Sequence, residues 1–173
     1  MRLGHLFAFG QFQLAIGAAA VAAGIFGVAA VAPAQDQSAA IANDAIVARK
    51  TVMNALSDRM DTIEANIASG KKLDLDQAHS DADAISVFMM AFPHLFAPAT
   101  NQWKPNVDKD PATDTFAAPE LWTRFSDFYQ QATAASKAAY DASRADDEAN
   151  FKAAIARLRM DCNTCHAAYL KAN

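Results

Sequence analysis

Between Ile41 and Ile67 the apolar positions are Ile41, Ala45, Ala48, Val52, Leu56, Met60, Ile63 and Ile67, at steps of three and four. That period is helical, because a strand would alternate at every second residue. Ser69-Gly70-Lys71-Lys72 ends the run, with glycine where a helix stop favours the left-handed conformation. Asp74, with Gln77 three residues on, resembles a capping pair opening a second helix, whose face is Leu75, Ala78, Ala82, Ile85 and Met89. Five of the six prolines then fall between Pro93 and Pro119, so residues 93–118 read as a long connection. Pro119-Glu120 restarts helix, with Leu121, Phe125, Phe128, Ala132, Ala135 and Ala139 on its buried face. Asp146-Asp147-Glu148 opens a fourth, along which Phe151, Ile155, Leu158, Cys162, Cys165 and Tyr169 recur at spacings of 4, 3, 4, 3 and 4. Four amphipathic helices with short first and third connections predict an all-α fold, an antiparallel up-down-up-down four-helix bundle.

The first 34 residues follow a different logic. Arg2 is the only charged residue before Asp36, Leu14 to Val31 is almost wholly apolar, and the stretch closes on Ala32-Pro33-Ala34. A positive start, an apolar run and an A-x-A site predict a cleaved secretory signal peptide over 1–34; the alternative is an uncleaved membrane anchor. The domain is then 35–173, 139 residues with 14 basic and 19 acidic side chains, exported to a periplasm with no stable membrane insertion. One glycine in that domain, Gly70, excludes Gly-rich phosphate loops and disfavours hairpin-rich β folds. The mild acidity argues against nucleic acid as a partner. No acid–base pair or nucleophile suited to catalysis is visible, so the chain does not read as an enzyme.

Export sharpens the question of the two cysteines, because an oxidising compartment pairs thiols that nothing else claims. Cys162-Asn163-Thr164-Cys165-His166 is C-x-x-C-H, the attachment signature of c-type haem. At i and i+3 on a helix both thiols share one face and can reach two vinyl groups of one porphyrin, while His166 offers an imidazole to the iron. The rivals are weaker. A redox dithiol wants its first thiol at a helix N-terminus, the opposite end. Structural zinc needs four ligands, and only His79 and His94 remain to complete the set. The cofactor expected is one covalently bound haem c per chain.

Cys162 to His166 followed by Ala-Ala-Tyr169, the Pro119-Glu120-Leu121-Trp122 opening and Arg49-x-x-x-Met53 together resemble the class II cytochromes c, the cytochrome c′ family. The resemblance covers the whole domain and implies a haem held near the C-terminus of a four-helix bundle. It departs at Leu170, where the family usually has Arg. The resemblance implies His166 as proximal iron ligand and Met53 on the distal side, either as a thioether ligand or as packing. It implies Arg49 near a haem propionate, the alternative being a solvated Arg beside Asp44. Trp122, Phe125 and Tyr169 are expected as pocket walls, His94 as a surface residue that competes weakly for the iron, and His79 as solvated. Met60, Met89, Met90 and Met160 read as core fillers. With Met53 on the iron the protein is expected to be a low-spin, periplasmic electron-transfer cytochrome meeting redox partner proteins transiently, as monomer or homodimer. With open iron it is instead a cytochrome c′ that binds NO or CO.

Overall fold

The computed structural model describes residues 34–171. Residues 1–33 of the expected signal peptide lie outside them. Four long helices form the bundle: α1 (Ala34–Ala68), α2 (Leu75–Ala91), α4 (Phe125–Ser143) and α5 (Glu148–Tyr169), with a single turn, α3 (Glu120–Thr123), before α4. Among the described residues there is no strand; one isolated antiparallel bridge joins Ala117 to Leu170.

The cap expected at Asp74 is in place, and one of the acids expected at the start of the fourth helix, Asp147, caps it. Asp74 accepts a hydrogen bond from the Gln77 amide at the start of α2, and Asp147 accepts one from Asn150 at the start of α5. Each satisfies an amide that the helix itself leaves without a partner. Gly70, with φ of +68°, takes the left-handed turn after α1. Helix α1 begins several residues before its apolar pattern does, and Ala42 is the first buried side chain among those described in it.

Alanine sets the spacing. Ala132, Ala135, Ala138, Ala139 and Ala142 bury the inner face of α4, and Ala78 and Ala82 answer from α2. Side chains this small let α2 and α5 both pack closely on α4. Two buried serines mark the α2–α4 contact, where Ser136 Oγ donates to the Ser86 carbonyl at 2.9 Å. Larger groups fill the rest, with Ile63, Ile85, Phe151, Ile155 and Leu158 fully or almost fully buried. Helices α1 and α5 lack so close a backbone approach. The bundle is therefore open along that seam.

The third predicted helix differs from expectation. Arg124, at φ −119° and ψ 36°, breaks it between α3 and α4. An unbroken helix would carry Leu121, Phe125 and Phe128 inward together. The break buries Leu121 and Phe128 at 2% exposure each and leaves Phe125 at 37%. Of the methionines read as core fillers, Met60 and Met89 are buried, but Met90 and Met160 are 65% and 62% exposed. His79 is half-buried against Phe151, with ring centroids 5.7 Å apart, rather than solvated.

The long connection is strapped down at both sides. Phe92–Leu95 and Pro98–Thr100 are short 3-10 turns. Farther on, Ala118 N donates to Tyr169 O and Lys171 N to Phe116 O, each at 2.9 Å, and Lys171 Nζ pairs with Glu120 at 2.7 Å. Truncating Phe151 to Ala should cost about 3–5 kcal/mol, whereas losing the cap in Asp147→Ala should cost only about 1 kcal/mol. Reversible denaturation of the two variants beside the parent checks both the order and the sizes.

Candidate functional site

The open seam between α1 and α5 holds a cavity of about 270 Å³. From α1 its wall takes Ile46, Arg49, Met53, Leu56 and Met60, and from α5 it takes Cys162, Cys165, His166 and Tyr169. Phe92, Phe96 and Phe128 close it toward α2 and α4, and Thr115, Phe116 and Ala117 of the strapped connection cover one side. The lining is mostly hydrocarbon, with a few polar groups from α1 and α5, as small-molecule and cofactor pockets generally are.

The cysteines reach this cavity because of register. Phe151, Ile155 and Leu158 point into the core, so residues continuing the same four-three spacing emerge where the core gives way to the seam. Cys162 and Cys165 are half-buried and free, not joined in a disulfide. Burial pushes both thiols up, Cys165 to about 11, so they stay protonated at neutral pH. A dithiol redox site draws on the reverse shift, so this environment disfavours the thioredoxin-like alternative. No group of three or more zinc-type ligands stands together among the described residues.

His166 stands exposed at the cavity rim. Partial desolvation, with Arg159 adding like charge, lowers its imidazole below the usual value. At neutral pH it therefore keeps a free nitrogen lone pair, the form that binds a metal.

Arg49 is only 5% exposed, which rules out the solvated arginine beside Asp44. Its Nε and Nη2 donate to the Leu95 carbonyl at 3.0 and 2.8 Å, Nη2 also donates to Thr100 Oγ1, and Nη1 reaches the Thr100 carbonyl at 3.4 Å. The guanidinium lies 4.1 Å from the centroid of the Phe96 ring. Every one of these partners is neutral, and no carboxylate pairs with Arg49 among the described residues. Desolvation alone lowers its pKa to about 10. A buried cation without a counter-charge is costly, so its position on the cavity wall favours an anionic group within reach.

Of the expected pocket walls, Tyr169 lines the cavity and Trp122 and Phe125 do not. Trp122 sits behind Phe96, with ring centroids 5.9 Å apart, and its indole N–H donates to the Ala97 carbonyl. Phe125 is carried outward by the break at Arg124. His94 is exposed and packs edge-on to Tyr129, away from the lining. The sequence pattern did not single out Phe92, Phe96, Phe116, Arg159 or Asp161, all of which line the cavity. Three of these five belong to the proline-rich connection or border it, where no periodicity marks an inward face.

Tyr169 is the best-anchored of the set. Its hydroxyl donates to Asp127 Oδ2, its ring meets Phe128 edge-on at 5.5 Å, and its carbonyl accepts from Ala118. Desolvation, then the Asp127 carboxylate, pushes the phenol up to about 12.

Fold and cavity together define a helical bundle whose last helix presents two thiols and an imidazole to an apolar slot, the build of a c-type cytochrome with its haem near the C-terminus. A family model described as cytochrome C′ matches residues 44–170, and the chain belongs to the cytochrome c′ family. It is 28% identical over 126 residues to cytochrome c-556 of Agrobacterium tumefaciens (strain II Chrys), covering 70% of this chain and 92% of that protein. It is 29% identical to cytochrome c′ of Rhodopseudomonas palustris (strain ATCC BAA-98 / CGA009), over 71% and 79% of the two chains. The crystal structure of cytochrome c′ from Thermochromatium tepidum shares the fold, with a TM-score of 0.64 at 22% identity, covering 75% of this chain and 96% of that one. So does a nitric oxide complex of the L16I mutant of cytochrome c prime from Alcaligenes xylosoxidans, with a TM-score of 0.63 at 19% identity, over 75% and 96%. Members of the family carry covalently attached haem c, and this chain has the two cysteines it requires.

The phenol yields a pH test. Because the folded state holds the Tyr169 proton more tightly than the unfolded chain does, its contribution to stability is complete below pH 10 and is lost as pH rises toward about 12. Stability measured across that range should fall more steeply for the parent than for Tyr169→Phe; parallel curves would mean the folded state does not hold the phenol proton more tightly than the unfolded chain.

Proposed function

We propose that this protein is an exported haem protein that binds a small neutral diatomic ligand, of the NO or CO type, in the slot between α1 and α5. When bound, haem c supplies an iron able to exchange one electron and to take a ligand on its free side. Cys162 and Cys165 would anchor it by thioethers, each thiol adding across one vinyl group. His166, neutral at working pH, would give its ring nitrogen to the iron on the proximal side. Arg49 has one N–H left after its contacts with Leu95 and Thr100, and its uncompensated charge suits a propionate. Tyr169, held by Asp127 and Ala118, would fix one wall.

The observation that carries the ligand-binding reading is the α1 side of the cavity. Arg49, Lys50, Asn54 and Ser57 also border the cavity from α1, but its Met53, Leu56 and Met60 stretch offers no hydrogen-bond donor, and the aromatic neighbours Phe92 and Phe96 add none. Such a wall accepts NO or CO, which need no donor, and does little for a ligand whose bound charge has to be hydrogen-bonded. The nitric oxide complex known for a protein of the same fold is in keeping with this. A second reading rests on Met53 itself, which lines the cavity on the side opposite α5. Its thioether could fill the distal position, giving a six-coordinate electron carrier that meets redox partners briefly through a small interface.

Visible spectra and CO addition separate the two. Under the first reading the haem-loaded protein is high-spin, the reduced form takes CO without displacing a ligand, and Met53→Leu leaves the bands in place. A low-spin spectrum that turns high-spin in Met53→Leu would install the second reading instead. Either reading fails if Cys162→Ser with Cys165→Ser retains its pigment in acidic acetone as the parent does. We also read residues 1–34 as an export signal to the periplasm, so the mature chain should begin at Gln35 by intact mass.

A further inference from the structure

The seam between α1 and α5 is closed at its inner end by an ion pair. Arg159 Nε donates to Glu64 Oε1 and Nη2 to Oε2, both at 2.7 Å, a two-pronged bridge from α5 to α1. Asp61 stands 4.0 Å from the same guanidinium. The place of this pair matters more than its strength. Glu64 lies one helical turn beyond Met60, the innermost α1 residue on the cavity wall, and Arg159 lies three residues before Cys162. On one side of the pair, Ile63, Ile155 and Leu158 are packed core. On the other, the helices part around the cavity. The pair therefore sits at the fork.

At the far end the restraints are of another kind. Lys50 donates to the Pro111 carbonyl at 2.5 Å and Arg49 grips Leu95 and Thr100, so α1 is tied there to the connection rather than to α5. Of these restraints among the described residues, the planar fork of Arg159 on a carboxylate is the one that fixes the distance between the two helices directly, and it also fixes their relative orientation.

We propose that Glu64 and Arg159 form a specificity-determining clasp: by holding α1 to α5 at the fork, they limit how far the seam spreads and hence how large a ligand reaches the wall of Met53, Leu56 and Met60. Both are positioning residues: Glu64 acts through α1, outside the cavity lining, and Arg159, which borders the cavity from α5, acts by holding Glu64, so Glu64→Ala is the cleaner of the two truncations. The proposal rests on the ligand-binding reading of the same cavity, and it predicts a selective effect. Releasing the clasp should admit a bulky ligand faster while leaving a small one almost unaffected.

The test uses the haem-loaded, reduced protein and two neutral carbon-donor ligands of different size, CO and n-butyl isocyanide, with association rates taken by stopped flow. In Glu64→Ala and Arg159→Ala the isocyanide rate should rise about fivefold relative to the CO rate, the scale of a partly exposed ion pair. Glu64→Gln, which keeps shape and one hydrogen bond, should fall between and serves if the truncations fold poorly. Arg159→Lys should restore only part of the discrimination, because an ammonium cannot make the two-pronged contact. A purely structural salt bridge would lower the melting temperature and leave the ratio of rates at the parent value, and that result overturns the clasp. Paired nitroxides on ketone-bearing side chains at the exposed positions Thr51 and Ala167 read the α1–α5 separation independently of any ligand. Their distance should lengthen and broaden in the variants, and an unchanged distribution also overturns the proposal. Should the parent bind neither CO nor isocyanide, the ligand-binding reading falls, and the nitroxide distances alone decide the clasp.

Discussion

The unequal packing of the four helices is the constraint on which the site depends. Alanine on the inner face of α4 draws α2 and α5 in close, and nothing comparable draws α1 onto α5. Core packing rewards contact at every surface, so a seam left open along two helices is sustained only if something else fills it or if its edges are pinned. Here both ends are pinned, by Arg159 on Glu64 at the fork and by the strapped connection at the other end. The intervening wall presents the residues that a covalent cofactor needs, which accounts for an otherwise costly gap in a domain of this size.

Much of that was legible along the chain. A four-three spacing that runs without interruption from Phe151 to Tyr169 makes Cys162 and Cys165 part of the same stripe as the core, so their direction could be read before any coordinates. The cap at Asp74, the acidic start of α5 and the stop at Gly70 were equally readable, because each depends on a side chain and the two or three residues around it. Periodicity failed where a single backbone angle intervened. The break at Arg124 rotates α4 relative to α3, and a pattern that assumes one continuous helix then assigns Phe125 inward. No residue type at 123–125 announces that break. Met90 and Met160 failed for a related reason: an apolar side chain satisfies a core pattern wherever it falls near the stripe, while exposure of a single methionine costs little.

The connection 92–119 shows a deeper limit. Its prolines rule out a helix, and that is all local chemistry supplies. Phe96, Phe116 and Ala117 are held on the cavity by a set of distant contacts, among them Arg49 with Leu95 and Thr100, Lys171 with Phe116 and Glu120, and Ala118 with Tyr169. Each joins residues some fifty positions apart, and no window moved along the chain contains both partners. The aromatic cluster of Phe92, Phe96 and Phe128 is assembled in the same way, with ring centroids 4.9 to 6.3 Å apart.

Arg49 belongs both to the scaffold and to the site. Its hydrogen bonds hold the connection in place, so it is part of the architecture. Yet neutral carbonyls and a hydroxyl satisfy donors without cancelling charge, and the depressed pKa records that deficit. A lysine there would shed its proton more readily once buried, whereas a guanidinium remains charged even at a pKa of about 10. The fold thus keeps a permanent positive charge against an apolar cavity whose opposite wall carries protonated thiols and a neutral imidazole. A flat, largely apolar group bearing carboxylates would offset that charge and fill the seam together. The same side chain that shapes the cavity also selects the sign of what enters it.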